Sequence, residues 1–249
     1  MKTVVINIFL ALTIIITSAS DIDYYIRAGD HFMKRGEYDD ALKNYRIAEK
    51  LSPNNPNVMW RIGAALNRIA ESINTGIIDT LRKANDYLTK AISTDKKIPM
   101  AHTELARNLL LIIAKAGKTN DMAMWSRAKE ELNFAQSIDS NNAENLFVMG
   151  LWNRCVSKIS LLKRMPYDLG DASQDNALKY IIAANELDPK NPEYKYELIK
   201  QYIIAEKVHK AQKVLEELKS LPPSPKKNFY LKKARELISS LKNKTAEEP

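Results

Sequence analysis

Few residues in this chain have the type and spacing that catalysis or metal binding requires. Cys155 is the only cysteine, and the three histidines, His31, His102 and His209, lie far apart in the sequence. Two metal ligands on one helix face need a spacing of three or four residues, and a nucleophilic thiol needs a neighbouring base. The sequence also contains no glycine-rich phosphate loop and no nucleophile elbow. We therefore predict no catalytic residue, no metal and no cofactor, and we expect Cys155 to be a small buried residue in a helix.

The composition indicates which type of secondary structure the chain forms. The chain has 249 residues, of which 45% are hydrophobic and only 7 are glycine. The average glycine usage is about 7%, so this low number argues against all-β folds with many turns. The abundant alanine, leucine, lysine and glutamate favour helices, and the apolar fraction is sufficient for a buried core. The sequence therefore predicts an all-α protein.

A pattern of small and large apolar residues recurs along the chain. In residues 22–53 it consists of Tyr25, Ala28, Gly29, Phe32, Ala41, Tyr45, Ala48 and Pro53. These positions are typical of the tetratricopeptide repeat, in which two antiparallel helices form a hairpin. Small residues such as Gly29 and Ala41 allow the two helices to approach closely, and the aromatic residues fill the space between hairpins.

The pattern predicts five repeat units in a single domain. They occupy residues 22–55, 56–98, 99–142, 143–191 and 192–225, followed by a capping helix at 226–242 and a disordered tail at 243–249. The first and last units are 34 residues long, and the three middle units have 9, 10 and 15 extra residues. We expect about one extra turn per helix in the middle hairpins, and a true inserted loop in unit four only. The predicted architecture is a right-handed tetratricopeptide-type solenoid of five hairpins with a C-terminal cap.

Five segments have a distinctive sequence: Trp60-Arg61, residues 101–107, residues 149–152, residues 221–224 and residues 234–237. In these segments the chain resembles the regulator-of-microtubule-dynamics-like family and its exported bacterial relatives. The order of the extended middle units is also similar, and the resemblance covers about residues 22–241. It implies a helical repeat scaffold and is much less specific for activity.

In tetratricopeptide proteins helix A of each unit lines the concave wall, so the resemblance implies where a partner would bind. The residues at these positions are Trp60, Asn67, Arg68, Arg107, Phe147, Arg154, Tyr196 and Lys200. Arginine binds a carboxylate through two charge-assisted hydrogen bonds, and a neighbouring aromatic ring covers an apolar side chain. The pattern favours a protein or peptide partner of acidic character. The alternative is that residues such as Trp60, Phe147 and Arg154 are ordinary packing or solvated charge. Trp125 and Trp152 are predicted to be core residues.

These observations predict a non-enzymatic, exported adaptor that binds a peptide or partner protein through its concave face. The alternative function is a periplasmic solute-binding or transporter accessory protein with a pocket between the long middle hairpins for a small anion. A stand-alone enzyme is a third and weaker interpretation.

The N-terminus has the pattern of an export signal. Lys2 precedes an apolar run at residues 4–16, and Ser18-Ala19-Ser20 supplies the small residues of a signal-peptidase site. We expect cleavage before Asp21, release into the periplasm or the extracellular space, and no transmembrane span afterwards. An uncleaved N-terminal anchor is the alternative.

The C-terminal region is basic. Residues 190–249 contain 14 Lys+Arg and 8 Asp+Glu. The excess predicts either a solvated face or attraction to an acidic envelope surface. Nucleic acid is not a predicted partner, because the arginine and aromatic clusters of single-strand binders are missing from the sequence.

Overall fold

The computed structural model describes residues 20–247, and the side chains of residues 20–240. The predicted signal peptide therefore lies outside the described residues, except for its last position, Ser20. The chain forms two compact units that divide between Lys96 and Lys97. They are called the N-terminal unit and the C-terminal unit below. Every regular element in the described part of the chain is a helix.

The N-terminal unit consists of two helical hairpins. Helix α1 comprises residues 20–35 of the described chain, and it is followed by α2 (Tyr38–Leu51), α3 (Pro56–Ser72) and α4 (Ile77–Thr94). The turn between α3 and α4 contains Gly76 at a φ of 68°. Residues with a side chain rarely adopt this left-handed conformation, so glycine is the natural choice there.

The C-terminal unit contains three hairpins and a final helix. The first hairpin is α5 (Pro99–Lys115) with α6 (Met122–Ile138), and the second is α7 (Ala143–Val156) with α9 (Gln174–Leu187). Between α7 and α9 lie a short helix α8 (Leu161–Arg164) and a 3₁₀ turn (Met165–Tyr167). The third hairpin is α10 (Pro192–Ile204) with α11 (Val208–Ser220), and α12 (Pro225–Glu247) follows.

Asparagine caps fix where the first helices of several hairpins begin. The side chains of Asn55, Asn142 and Asn191 each accept a backbone N–H from the first turn of α3, α7 and α10. Such a cap contributes about 1 kcal/mol. Pro56 and Pro192 follow two of these caps, where their missing N–H costs no helical hydrogen bond. These starts coincide with the first residues of the predicted units.

Small residues allow the two helices of each hairpin to pack closely. The alanines at the predicted helix-B position are fully buried: Ala41, Ala84, Ala128, Ala177 and Ala211. A Cβ atom on Gly150 would lie 2.5 Å from Ile181 Cγ1 and 3.2 Å from the Ala177 carbonyl oxygen. That distance to Ile181 is shorter than van der Waals contact, so only glycine fits between α7 and α9. The all-α, tetratricopeptide-type fold predicted from the sequence is confirmed.

The extra residues of the middle units are distributed unevenly. Helices α3 to α6 have 17 or 18 residues, whereas α10 and α11 have 13 each. Units two and three therefore have the longer helices that the sequence predicts. In unit four α7 and α9 have only 14 residues each, and the extra length forms the segment 157–173. At the other end, α12 continues to Glu247 and so includes part of the predicted disordered tail.

Arg164 organises the inserted segment 157–173. Its buried Nη1 donates to the backbone carbonyls of Leu169, Gly170 and Ala172 at 2.7, 3.1 and 2.9 Å. These carbonyl oxygens would otherwise lack helical partners, and leaving such groups unsatisfied is costly. Lys129 of α6 adds ion pairs to Asp168 and Asp171 at 3.2 and 3.0 Å. The insertion is therefore an ordered part of the C-terminal unit.

None of the described helices combines the length and the apolarity needed to cross a bilayer.

Candidate functional site

The eight predicted partner-binding residues all lie on first helices of hairpins, but they differ strongly in exposure. Five of them are buried, namely Asn67, Arg68, Arg107, Phe147 and Arg154. The other three, Trp60, Tyr196 and Lys200, are partly exposed. Trp60 lies in the N-terminal unit, while Tyr196 and Lys200 lie in the C-terminal unit.

In the N-terminal unit, Trp60 is covered on one side by the chain itself. The Arg61 guanidinium lies 4.3 Å from the centroid of the Trp60 ring. Arg61 is held there by Asp30, whose Oδ1 is 2.9 Å from Arg61 Nε, and Asp30 also accepts the Tyr45 hydroxyl at 2.7 Å. Arg68 lies farther along α3, 3.6 Å from Glu71. This part of α3 is thus held by intramolecular ion pairs.

In the C-terminal unit, Arg107 is the centre of a buried ionic cluster. Its side chain is 2% exposed, and its Nη1 donates to Glu193 at 3.0 Å, while Nη2 donates to Glu144. Lys226 of α12 adds a second cation 3.2 Å from Glu193. We call Arg107, Glu144, Glu193, Tyr194 and Lys226 the buried cluster. It connects α5, α7, α10 and α12 through two cations and two carboxylates.

The aromatic rings of Phe147 and Tyr194 pack together at this cluster. Phe147 and Tyr194 stack with ring centroids 4.5 Å apart, and Arg107 lies 5.3 Å from the Phe147 centroid. The Tyr194 hydroxyl donates to Glu144 at 2.6 Å. Burial, and then the Glu144 carboxylate, raise the pKa of Tyr194 well above its usual value of 10. The phenol therefore stays protonated and keeps donating at neutral pH.

Arg154 is also paired within the chain. Its Nη2 lies 2.6 Å from Glu197, and Lys200 lies 3.0 Å from the same carboxylate. The sequence predicts that Arg107 and Arg154 bind the carboxylates of a guest. In the structure these positions are already taken by Glu144, Glu193 and Glu197, because glutamates occur on the facing helices.

A contiguous accessible surface remains at the C-terminal end of this unit. We call it the aromatic–lysine face, and it consists of Tyr196, Lys200, Phe229, Tyr230 and Lys233. Tyr196 and Tyr230 lie 5.5 Å apart between centroids, and Phe229 contacts Tyr230 edge-on at 5.1 Å. Lys200 lies 5.3 Å from the Tyr196 ring and Lys233 lies 4.3 Å from the Phe229 ring. Phe229 is 49% exposed, so a ligand can reach it.

The sequence identified only two members of this face. Tyr196 and Lys200 occupy repeat positions that line the predicted concave wall. Phe229, Tyr230 and Lys233 belong to α12, which was predicted only as a capping helix. Their signal was a pair of adjacent aromatic residues between two pairs of lysines in 226–233. Burial, and then Glu197, raise the pKa of Tyr196, so this ring is also neutral at physiological pH.

The expectations for the tryptophans and for Cys155 have different outcomes. Trp125 and Trp152 are 4% and 3% exposed, as predicted for core residues. The expectation that Cys155 is buried is wrong, because its side chain reaches solvent near the end of α7. Desolvation by nearby protein atoms still raises the pKa of its thiol, and Arg154 and Lys158 partly oppose this shift.

No group of three or more histidine, cysteine, aspartate or glutamate side chains in the described part of the chain is arranged to hold a metal ion. His102 lies instead beside Glu131, with Nδ1 2.6 Å from the carboxylate.

Hairpins with buried alanines at a fixed position and glycine at the closest helix contact define a tetratricopeptide-type repeat protein. Solved structures agree with this class. A thermophilic TPR protein from Thermus thermophilus has a TM-score of 0.62 at 16% identity, covering 86% of this chain and 98% of that one. PilF from Pseudomonas aeruginosa has a TM-score of 0.50 at 13% identity, covering 93% and 94%. At these identities the similarity concerns the fold.

A sequence profile of the family described as Regulator of microtubule dynamics protein 1-3 matches residues 25–242 of this chain. The chain belongs to this family. No curated protein matches it.

Proposed function

We propose that this protein is an exported, non-enzymatic adaptor that binds an acidic segment of a partner protein through the aromatic–lysine face. The observation that carries the proposal is the contiguous set of accessible rings, two of which have a lysine beside them. Rings of this kind cover apolar side chains of a peptide, and Lys233 beside Phe229 pairs with one of its carboxylates. Lys200 is shared with Glu197 within the chain and adds positive charge beside Tyr196. The tetratricopeptide fold is consistent with a scaffold for protein interactions.

The electrostatics of the C-terminal region support an acidic guest. The 14 Lys+Arg of residues 190–249 exceed the 8 Asp+Glu, which favours encounter with an anionic partner. The buried cluster supports the proposal in a different way. Because it connects four helices of the C-terminal unit, it holds α10 and α12 in place before binding, so little conformational entropy is lost on association.

Export is part of the proposal and rests on the signal-like N-terminus. The family's name refers to microtubule dynamics. That role is a property of the relatives after which the family is named, and we do not assign it to this chain. A protein released outside the cytosol would not meet tubulin, so we assign it a partner in the cell envelope or outside the cell.

The test is a selection of short peptides from a random display library against the full chain. Acidic peptides with at least one large apolar residue should be enriched. Tyr196→Ala combined with Lys200→Ala should weaken their binding at least tenfold, since interface aromatics often contribute about 2 kcal/mol or more. Raising the salt concentration should weaken it further.

The matched control is Tyr24→Ala combined with Lys190→Ala, because both side chains are exposed and lie outside the aromatic–lysine face. The control should bind like the wild type. Enrichment of basic or uncharged peptides, or an equal loss in the control, would contradict the proposal.

A further inference from the structure

The C-terminal unit contains a cavity that the adaptor function does not use. It lies where the last turn of α5 and the end of α7 meet the inserted segment 157–173. Its volume is about 440 Å³, which is within the usual range for small-molecule sites, roughly 300–1,000 Å³. We call it the Lys158 pocket, and Leu110, Ile113, Trp125, Ile159, Lys158 and Lys163 are the lining residues that matter for its chemistry.

The inner lining of the Lys158 pocket is apolar. Leu110, Ile113 and Trp125 are 9%, 1% and 4% exposed. The Trp125 indole N–H donates to the Thr119 carbonyl at 3.1 Å, so the ring adds apolar surface without an unsatisfied donor. An apolar group that enters this pocket would leave water without displacing a hydrogen bond of the protein.

The rim of the Lys158 pocket is cationic, in contrast to its apolar inner lining. Lys158 and Lys163 both line the pocket and reach solvent, and none of the lining residues is acidic. Among the described residues, neither ammonium group has an ion-pair partner within 4.0 Å, in contrast to the paired Lys129 of α6. An anion at the rim would therefore meet two cations that none of the described carboxylates neutralises.

We infer that the Lys158 pocket binds a small apolar monocarboxylate, with its hydrocarbon part against Leu110, Ile113 and Trp125 and its carboxylate between Lys158 and Lys163. At roughly 30 Å³ of liquid volume for each water-sized group, the pocket has room for about 15 such groups. A fatty acid of about ten carbons or a bicyclic aromatic acid has this size. This inference develops the sequence-based alternative of an anion pocket between the middle hairpins, and it is independent of the aromatic–lysine face.

Cys155 makes the inference directly measurable. It lines the same pocket and is the only cysteine of the chain. A neutral thiol reagent such as N-ethylmaleimide therefore modifies one site, and the rate is read from the intact mass. A ligand in the pocket should cover the thiol and slow the reaction.

The experiment measures labelling of the full chain with decanoate or 2-naphthylacetate, and with decanol or decylammonium as uncharged and cationic counterparts. At least one of the two carboxylates should slow labelling fivefold or more, whereas decanol and decylammonium should have less than half of that effect. Equal protection by decanol, or no protection by either carboxylate, would overturn the inference.

Three variants locate the binding. Lys158→Glu combined with Lys163→Glu should weaken carboxylate binding at least tenfold, whereas Lys83→Glu combined with Lys179→Glu, an equal charge change on lysines elsewhere at the surface, should leave it unchanged. Ala114→Phe places a ring in the pocket from an exposed position and should remove protection while the circular dichroism stays native. An equal loss in the control lysine pair, or unchanged protection in Ala114→Phe, would contradict the assignment.

Failure of this inference would be distinguishable from failure of the adaptor function. The Tyr196→Ala, Lys200→Ala variant should retain carboxylate binding, because neither residue lines the Lys158 pocket.

Discussion

Replacing Arg107 by methionine is expected to lower the free energy of unfolding by about 3 kcal/mol. Removing one partner of a buried ion pair costs about 3–5 kcal/mol, because the remaining charge is left in a poorly solvated site. The side chains of Glu144 and Glu193 are only 15% and 5% exposed. Lys226 still pairs with Glu193 and the Tyr194 hydroxyl still donates to Glu144, which places the cost at the lower end of this range.

The assay is urea unfolding followed by far-ultraviolet circular dichroism, with a thermal melt in parallel. A loss of about 3 kcal/mol corresponds to a melting temperature lower by about 6–12 °C for a chain of this size. The control is Arg82→Met, whose pair with Asp79 at 3.1 Å is 72% and 75% exposed. Such a surface pair contributes about 0–1 kcal/mol.

A double-mutant cycle separates the ionic explanation from a loss of packing. Glu144→Gln in the Arg107→Met background removes the stranded carboxylate, so the double variant should be more stable than the sum of the two single losses predicts, by about 1 kcal/mol or more. The reasoning would be refuted if Arg107→Met cost less than about 1 kcal/mol, or if the two single effects simply added.

Four further predictions concern other parts of the molecule. Because the folded-state pKa of Tyr194 is raised above 10, the stability it contributes is complete below pH 10 and is lost as the pH rises from there through the folded pKa. Tyr194→Phe should reduce this alkaline slope by up to about 1.4 kcal/mol per pH unit in urea titrations at about pH 8–12; an unchanged slope would contradict it. Gly150→Ala should cost about 1–3 kcal/mol in chemical unfolding, since its Cβ would lie 2.5 Å from Ile181 Cγ1, and a neutral result would show that the helices readjust. Arg164→Met should cost about 2–3 kcal/mol and open segment 157–173 to limited proteolysis, because three backbone carbonyls lose their donor; cleavage elsewhere first would argue otherwise. Protein recovered from the envelope or the medium should start at Asp21 by N-terminal sequencing, and a retained Met1 would favour the uncleaved anchor.

The fold was predictable because its determinants are local and periodic. Ala41 and its counterparts recur at the same position of each unit, and the close helix contacts require small residues there. Asparagine followed by proline marks the start of α3 and α10. Such signals depend on residues a few positions apart, so they can be recognised without knowledge of tertiary structure.

The exposure of the predicted binding residues could not be derived in the same way. Arg107 pairs with Glu144 and Glu193, which are 37 and 86 residues away in sequence. The repeat positions place these side chains on the same set of helices, but whether an arginine faces solvent or a carboxylate depends on the spacing of the neighbouring helices. The contribution of α12 to the aromatic–lysine face has the same origin, because Tyr230 meets Tyr196 only after the cap has packed on α10.

Cys155 shows how a local pattern can mislead. It follows an apolar helical stretch, which predicts burial, but α7 ends at Val156 and the inserted segment leaves a cavity beside it. The size of the unit-four insertion was visible in the sequence, whereas the fold of the segment, organised by Arg164, was not.

Hydrogen exchange with a selected acidic peptide bound tests the proposed adaptor function most directly. Binding to the aromatic–lysine face should slow exchange of backbone amides in 192–204 and 225–240, and should leave 56–72 unchanged. Protection confined to the N-terminal unit, or no protection in either of the two C-terminal segments, would contradict the assignment of this face as the binding site.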